Sequence, residues 1–457
     1  MIPPSLRLTG LGAVGALTLL ALSGPTLTNV SEVRAPLAAA SAPAKPGTAS
    51  TSTTKAQPTA SGTSRSTTST ATATTSAAAS LPLPVTDVTL FGAIGDGHTD
   101  SEAAVVSAVT AAEAAGGTLY FPAGHYMLNG PKTGAAVKIH SGKPLTVAGA
   151  GAGLVTLTET NPLGMLLSVS VDHTVVQDLT LDTQSTNARQ ALGVGGNYIT
   201  VQRCTILGGS QFFAIYAAGP STASLSAPTY DVGNQLLNDT INEQYANDGV
   251  SWSFQANSLI ENIDHTGSRL ALYVVKNVTV QNYTYHPGIQ PSGTAGFWLS
   301  APSDGVTINN FTSYGKGGTL SDNGGKQNTN IAINNERLLG TGNSLRISGA
   351  NGLTISGCDF GTSNTLAFEG TTPTSHVVVQ NCTALPTIVF AARASTSASF
   401  LGDVYPAFVP LSGPKTTFHN YTSGLTFAVS GGTWLNQSGG FFSGTPATYS
   451  VTGLAGY

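Results

Sequence analysis

From residue 176 to residue 422 the chain repeats one short pattern of apolar and polar positions. An aliphatic or aromatic anchor is followed two places on by a polar residue, usually Asn, three places on by an apolar residue, and often then by Thr. The anchors are Val176, Val201, Leu237, Ile260, Val280, Ile308, Ile333, Ile355, Val379 and Phe418, spaced 25, 36, 23, 20, 28, 25, 22, 24 and 39 residues apart. Self-similarity at such a period is the mark of one supersecondary unit stacked on copies of itself. The units are rich in Val, Ile, Thr and Asn and carry no helical period, so each reads as three short strands and three turns: one rung of a parallel β-helix. The two long spacings read as rungs carrying insertions.

Each rung buries its inward residues only against the rungs above and below. Leu179, Cys204, Ile263, Tyr283, Phe311, Cys358, Cys382 and Tyr421 form the expected inward ladder, and Glu336 is its exception. Two places after the anchors stand Asn262, Asn282, Asn310, Asn335, Asn381 and Asn420, with Asp178 and Asp239 in two further rungs. Asn tolerates left-handed backbone angles, and its amide both donates and accepts, so the column reads as a hydrogen-bonded asparagine ladder. The Asn-x-Thr sequons at Asn282, Asn310, Asn381 and Asn420 are accordingly read as buried ladder positions rather than glycosylation sites.

Ahead of the repeats an Ala-rich segment, Ser101 to Ala115, has a start signal at Thr99 or Asp100, Glu102 in its first turn and a stop at Gly116-Gly117. It predicts a short helix capping the open end of the solenoid. The apolar run Leu8 to Leu22 after Arg7 has the length of a secretory leader, with a small-residue cleavage site at Ala21-Leu22-Ser23. The expected organisation is a signal peptide over 1–23, a Ser/Thr/Ala/Pro-rich disordered linker over 24–84 and a β-helix domain over 85–457, its cap at 85–130 and its coils at about 140–430. That order predicts a secreted or cell-surface protein, with cell-wall association through the linker.

Charged residues are only 9% of the chain, the formal net charge is −4, and 13 of the 18 Lys and Arg are scattered beyond residue 85 without a cluster. Nucleic acid is therefore not an expected partner, and a densely anionic polymer is disfavoured on the same ground. The three cysteines, Cys204, Cys358 and Cys382, all fall on the inward ladder and read as buried free thiols, implying neither a metal site nor redox chemistry. No cofactor is expected.

Phe91-Gly92-Ala93, Gly95-Asp96-Gly97, Asp100, Gly116-Gly117-Thr118 and Phe121-Pro122-Ala123-Gly124-His125-Tyr126 resemble the opening of pectate-lyase-superfamily proteins, which include polygalacturonase-like and rhamnogalacturonase- and epimerase-like members. The resemblance covers nearly all of residues 85–430. It implies an all-β, right-handed parallel β-helix and, in most members, action on polysaccharides. In it Asp96 and Asp100 belong to the capping turn.

Counting ten residues back from the anchors aligns Val250, Leu270, Trp298 and Leu345 as the first strand of successive rungs. Alternation then sends Trp252, Phe254, Leu272 and Val274 inward, and Ser251, Ser253, Tyr273, Leu299, Arg346 and Glu369 outward, onto the sheet that in the resemblance floors a substrate groove. Loops over Gly219 to Gly233, His286 to Gly296 and Gly315 to Asn330 are expected to wall it. Between them lie Glu243, Asn247, Asp248, Asp264, His265 and Arg269. Asn247-Asp248-Gly249-Val250 resembles the entry at which polygalacturonase-like proteins place a catalytic acid. The adjacent aspartates and Gly-His-Gly of that pattern are absent, and Thr266-Gly267-Ser268 stands where a second acid is expected.

The leading expectation is a secreted glycoside hydrolase acting on a neutral or weakly acidic polysaccharide through two carboxyls, Asp248 with Glu243 or Asp264. His265, Arg269, Tyr273 and Arg346 are the expected substrate-binding residues, and no metal is called for. The alternatives are a non-catalytic glycan-binding or adhesive surface protein, and a polysaccharide lyase or epimerase.

Overall fold

The computed structural model describes residues 81–455, apart from 184–189, 209–212, 244–247, 289–294, 341–343, 362–364, 386, 392–395, 406–417, 421–425, 435–441 and 445–447. The leader, all but the last residues of the linker, and the Asn247 and Tyr421 positions lie outside the described residues.

The repeats wind into a right-handed parallel β-helix. Among the described residues, one face is a single ladder of thirteen strands, running in unbroken chain order from Ala135–Ile139 to Phe442–Gly444, and a 22-stranded sheet with a two-stranded pair, Asp231–Val232 and Gln255–Ala256, forms the rest of the wall. Stacking is in register: Ile215, Val250, Leu270, Phe297 and Gly318 lie directly above one another. A Cβ on Gly318 would stand 1.9 Å from the Phe297 ring, so this rung has no side chain where its neighbour is largest. The anchors Val176, Val201, Ile260, Val280, Ile308, Ile333, Ile355 and Val379 are fully buried. Burying each such side chain stabilises the fold by about 1.5–3 kcal/mol. Rings continue the packing between rungs, as where Tyr283 stacks on Phe311 at 5.1 Å.

The capping helix spans Glu102–Ala115 and buries Val105, Ala108, Val109 and Ala112. Its N-cap is Ser101, one place beyond the expected start, and Asp100 reaches forward to accept the Glu102 N–H at 3.0 Å. Asp96 accepts from the N–H groups of His98 and Thr99, which hold its carboxyl down at about 2.

Several register expectations are corrected by the structure. Leu236, not Leu237, stacks on Val201, so Asn238 takes the ladder position and Asp239 turns inward. A slip of one residue exchanges the two faces of a strand. The same slip separates Trp298 from Phe297: Phe297 and Leu299 are buried, while Trp298 faces out beside Ala271. Phe254 and Val274 leave their strands at left-handed turns. Phe418 belongs to the thirteen-stranded ladder, and the rung after Val379 is anchored by Phe400, so Asn420 is no ladder member. Gly315 to Asn330 is a rung, not a loop, because it contains the strand Lys316–Ser321 and the start of Asn328–Asn334.

The asparagine ladder is present, and it is exposed rather than buried. Asn262, Asn282, Asn310 and Asn335 have φ between 53° and 56°, and each donates its amide to the Asn one rung before at 2.9–3.3 Å. A second column, which the sequence reading missed, links Asn277 to Asn257 and Asn330 to Asp304. The three cysteines are free and buried.

Candidate active site

The outward face of the thirteen-stranded ladder gathers one polar cluster. Asp248 opens the strand Asp248–Ser253, and Tyr273 closes its neighbour Leu270–Tyr273. Arg269 stands just before that second strand and donates from Nε to Asp248 Oδ1 at 2.6 Å. The Tyr273 hydroxyl donates to Asp248 Oδ2 at 3.4 Å. One rung on, the Trp298 ring lies 4.0 Å from the Arg269 guanidinium carbon and meets Tyr273 edge-on at 5.1 Å. Such a face attracts the cation and fixes its plane. One rung before Asp248, Phe213 and Tyr216 stack at 4.7 Å.

The electrostatics follow from depth. Asp248 is 3% exposed. Burial pushes its carboxyl above the ordinary range, the Arg269 charge and the two hydrogen bonds pull it back, and the Glu243 charge adds to the rise. Burial, with the Asp248 charge beside it, also raises the Tyr273 phenol, which therefore keeps its proton. Arg269 and Tyr273 are only partly buried, so they are the members of the cluster that meet solvent.

The other candidate residues lie elsewhere. Glu243 and His265 are completely enclosed beneath the cluster, with His265 Nε2 3.5 Å from Glu243 Oε1. Asp264 is exposed on the other sheet, where it approaches His286 at 3.4 Å. The hydrolytic pairs expected with Asp248 are thus not assembled on one surface. Arg346 pairs with Glu369 at 2.7 Å on the outward face, three rungs beyond Tyr273, about 14 Å along the stack of rungs. Sequence reasoning missed Trp298, although the alternation in Phe297-Trp298-Leu299 carries the signal once the register is right. Among the described residues, no group of three or more His, Cys, Asp and Glu side chains could hold a metal ion.

Residues 85–318 match the family model of rhamnogalacturonase A/epimerase, pectate lyase-like proteins. Mannuronan C5-epimerase AlgE3 of Azotobacter vinelandii is 29% identical over 239 residues, covering 50% of this chain and 12% of the epimerase. Alginate lyase 7 of the same organism is 28% identical over 192 residues, covering 38% of this chain and 21% of the lyase. Each match therefore spans less than a quarter of the relative's own length. Pre-mature gene product 12 of bacteriophage phi29 has a TM-score of 0.54 at 15% identity, over 81% of this chain and 56% of that one, a likeness of fold alone.

Proposed function

The chain belongs to the rhamnogalacturonase A/epimerase, pectate lyase-like family, and we propose that it acts outside the cell on a uronate-containing polysaccharide by proton transfer at the sugar carbon next to the carboxylate. The product is an epimerised sugar, or a cut chain with an unsaturated end beside its new reducing end, rather than the saturated ends that hydrolysis leaves. The observation that carries this reading is the composition of the outward cluster: one buried carboxylate, one guanidinium and one phenol. Two-carboxylate hydrolysis needs a second carboxyl facing the same bond, and Glu243 is enclosed while Asp264 lies on another sheet. The likeness to a mannuronan epimerase and an alginate lyase points the same way, and outweighs the expectation, drawn from the low positive charge, that a densely anionic polymer is disfavoured.

A hydrogen on the carbon next to a carboxylate becomes acidic when the carboxylate's charge is neutralised, because removing it spreads charge onto those oxygens. Arg269 supplies that cation at the solvent boundary. Tyr273 takes the sugar proton as its own proton passes to Asp248, whose raised basicity suits it to hold one. Delivery of a proton from solvent to the opposite face of the carbon gives epimerisation. Cleavage of the adjacent C–O bond, with its oxygen taking the proton, gives elimination. Trp298 holds Arg269 flat, and the ring pair Phe213 and Tyr216 offers a platform for the next sugar.

The test is incubation of the purified chain with polyuronates and neutral glycans in heavy water. Deuterium at the sugar carbon, inverted sugars or unsaturated ends on a polyuronate support the proposal. Reducing ends without unsaturation return the hydrolase, and binding without any turnover returns the glycan-binding protein.

A further inference from the structure

Beneath the cluster is a second set of polar side chains that water does not reach. Glu243, His265 and Tyr283 are each 0% exposed, so none of them can touch a polysaccharide on the outer face. We propose that these three form a buried positioning network that holds Asp248 and Arg269 in their working arrangement. Its consequence for turnover rests on the proton-transfer reading above; its geometry does not.

The network starts at Tyr283. Burial raises its phenol well above the ordinary range, so the hydroxyl keeps its proton, and it is hydrogen-bonded to His265 Nδ1 at 2.6 Å. The other ring nitrogen, Nε2, faces Glu243 Oε1 at 3.5 Å. Edge contacts to the Tyr283 and Tyr285 rings, at 5.9 and 5.8 Å, fix the plane of the imidazole. Glu243 Oε1 in turn accepts the backbone N–H of Ser268, the residue before Arg269.

The same pair of side chains seats the other half of the cluster. Gly249 follows Asp248, and a Cβ there would stand 2.3 Å from His265 Nε2 and 2.7 Å from Glu243 Oε1. The backbone therefore rests directly on the imidazole and the carboxylate, and only glycine fits. Gly267, with φ 149°, is as close to Glu243 on the far side. Asp248 is thus one residue along the chain from Gly249, seated on Glu243 and His265, and Arg269 is one and two residues from Ser268 and Gly267, which are held against Glu243. The ionisable groups acting on Asp248 are Arg269, Tyr273 and Glu243, so the network also contributes to its charge. Such supporting groups are positioning residues: they act through the residues they orient.

The experiment compares Tyr283→Phe and Glu243→Gln with wild type in the full chain. Arginine Nε–H resonances are followed by NMR, that of Arg269 being assigned from its loss in Arg269→Lys. Melting, glycan binding, kcat and KM are measured beside them. The expected result is a moved or broadened Arg269 Nε–H signal in both variants, with kcat on the active polyuronate down by about tenfold or more, KM little changed, and an acid limb shifted in Glu243→Gln. An Arg269 signal and kcat identical to wild type in both variants would overturn the proposal. If wild type turns over no glycan, the proton-transfer reading fails, and the Arg269 resonance by itself decides the network. Should Glu243→Gln fail to fold, Tyr283→Phe, which removes a single oxygen, carries the test.

Discussion

Arg269 Nε donates to Asp248 Oδ1 at 2.6 Å across two rungs that are separated by 21 residues of chain. The bond offsets part of the cost of burying the carboxylate and leaves the rest of the guanidinium at the solvent boundary. Both the stability of the site and its chemistry therefore depend on one contact.

Asp248→Asn should leave the fold and glycan binding intact, since the amide oxygen still accepts from Arg269, while removing the group that takes a proton. The expected loss in kcat is about 100-fold or more, the ordinary scale for removing an acid–base group. Turnover at the wild-type rate would show that Asp248 is not that group.

Trp298→Ala removes the face that holds the Arg269 guanidinium and the edge that meets Tyr273. The contact is partly buried, so its loss should cost about 1 kcal/mol, seen as weaker polysaccharide binding with the melting temperature nearly unchanged. Isothermal titration with the active polymer measures it.

Glu336 sits on the inward ladder with neither carboxyl oxygen hydrogen-bonded, and burial pushes it up to about 8. Its folded pKa lies above the unfolded value near 4.5, so the folded state holds the extra proton in that window. Stability from this group is therefore greatest at low pH, falls as pH rises from about 4.5 to about 8, and is level beyond. Glu336→Leu should be close to neutral at pH 5 and should stabilise by about 1 kcal/mol or more at pH 9. Melting curves of the two proteins across this range should diverge and then run parallel.

Asn310 donates to Asn282, accepts from Asn335 and has φ 54°. Asn310→Ala loses both bonds and keeps an unfavourable left-handed backbone, whereas Asn310→Gly loses only the bonds. The Ala variant should be less stable than the Gly variant by about 1 kcal/mol. Asn330 is unsuitable as a neutral control, because it belongs to the second column through Asp304. Equal melting of the Ala and Gly variants would show that backbone strain has no part in the ladder.

The parallel solenoid, its capping helix, its inward aliphatic column and its asparagine ladder were all legible in the chain. All but the helix, which its start and stop residues mark, are repeats, and every repeat imposes the same local demand: an apolar residue facing in, and a residue that tolerates φ > 0 at the turn. Asp248, Arg269 and Tyr273 were legible as residues lying between insertions. What the chain alone left open was register at the rungs that break the period, where Leu236 replaces Leu237 and Phe297 replaces Trp298. There a single step decides which face a side chain occupies, and only the pairing of whole strands decides the step. Depth was also beyond the sequence. Glu243, His265, Asp248 and Asp264 are similar polar residues within one stretch of 23 positions, yet two are sealed in the core, one forms the floor of the outer face and one stands in solvent on another sheet. The local pattern sets which residues alternate, whereas the packing of neighbouring rungs sets which of them water can reach, and so which can do chemistry.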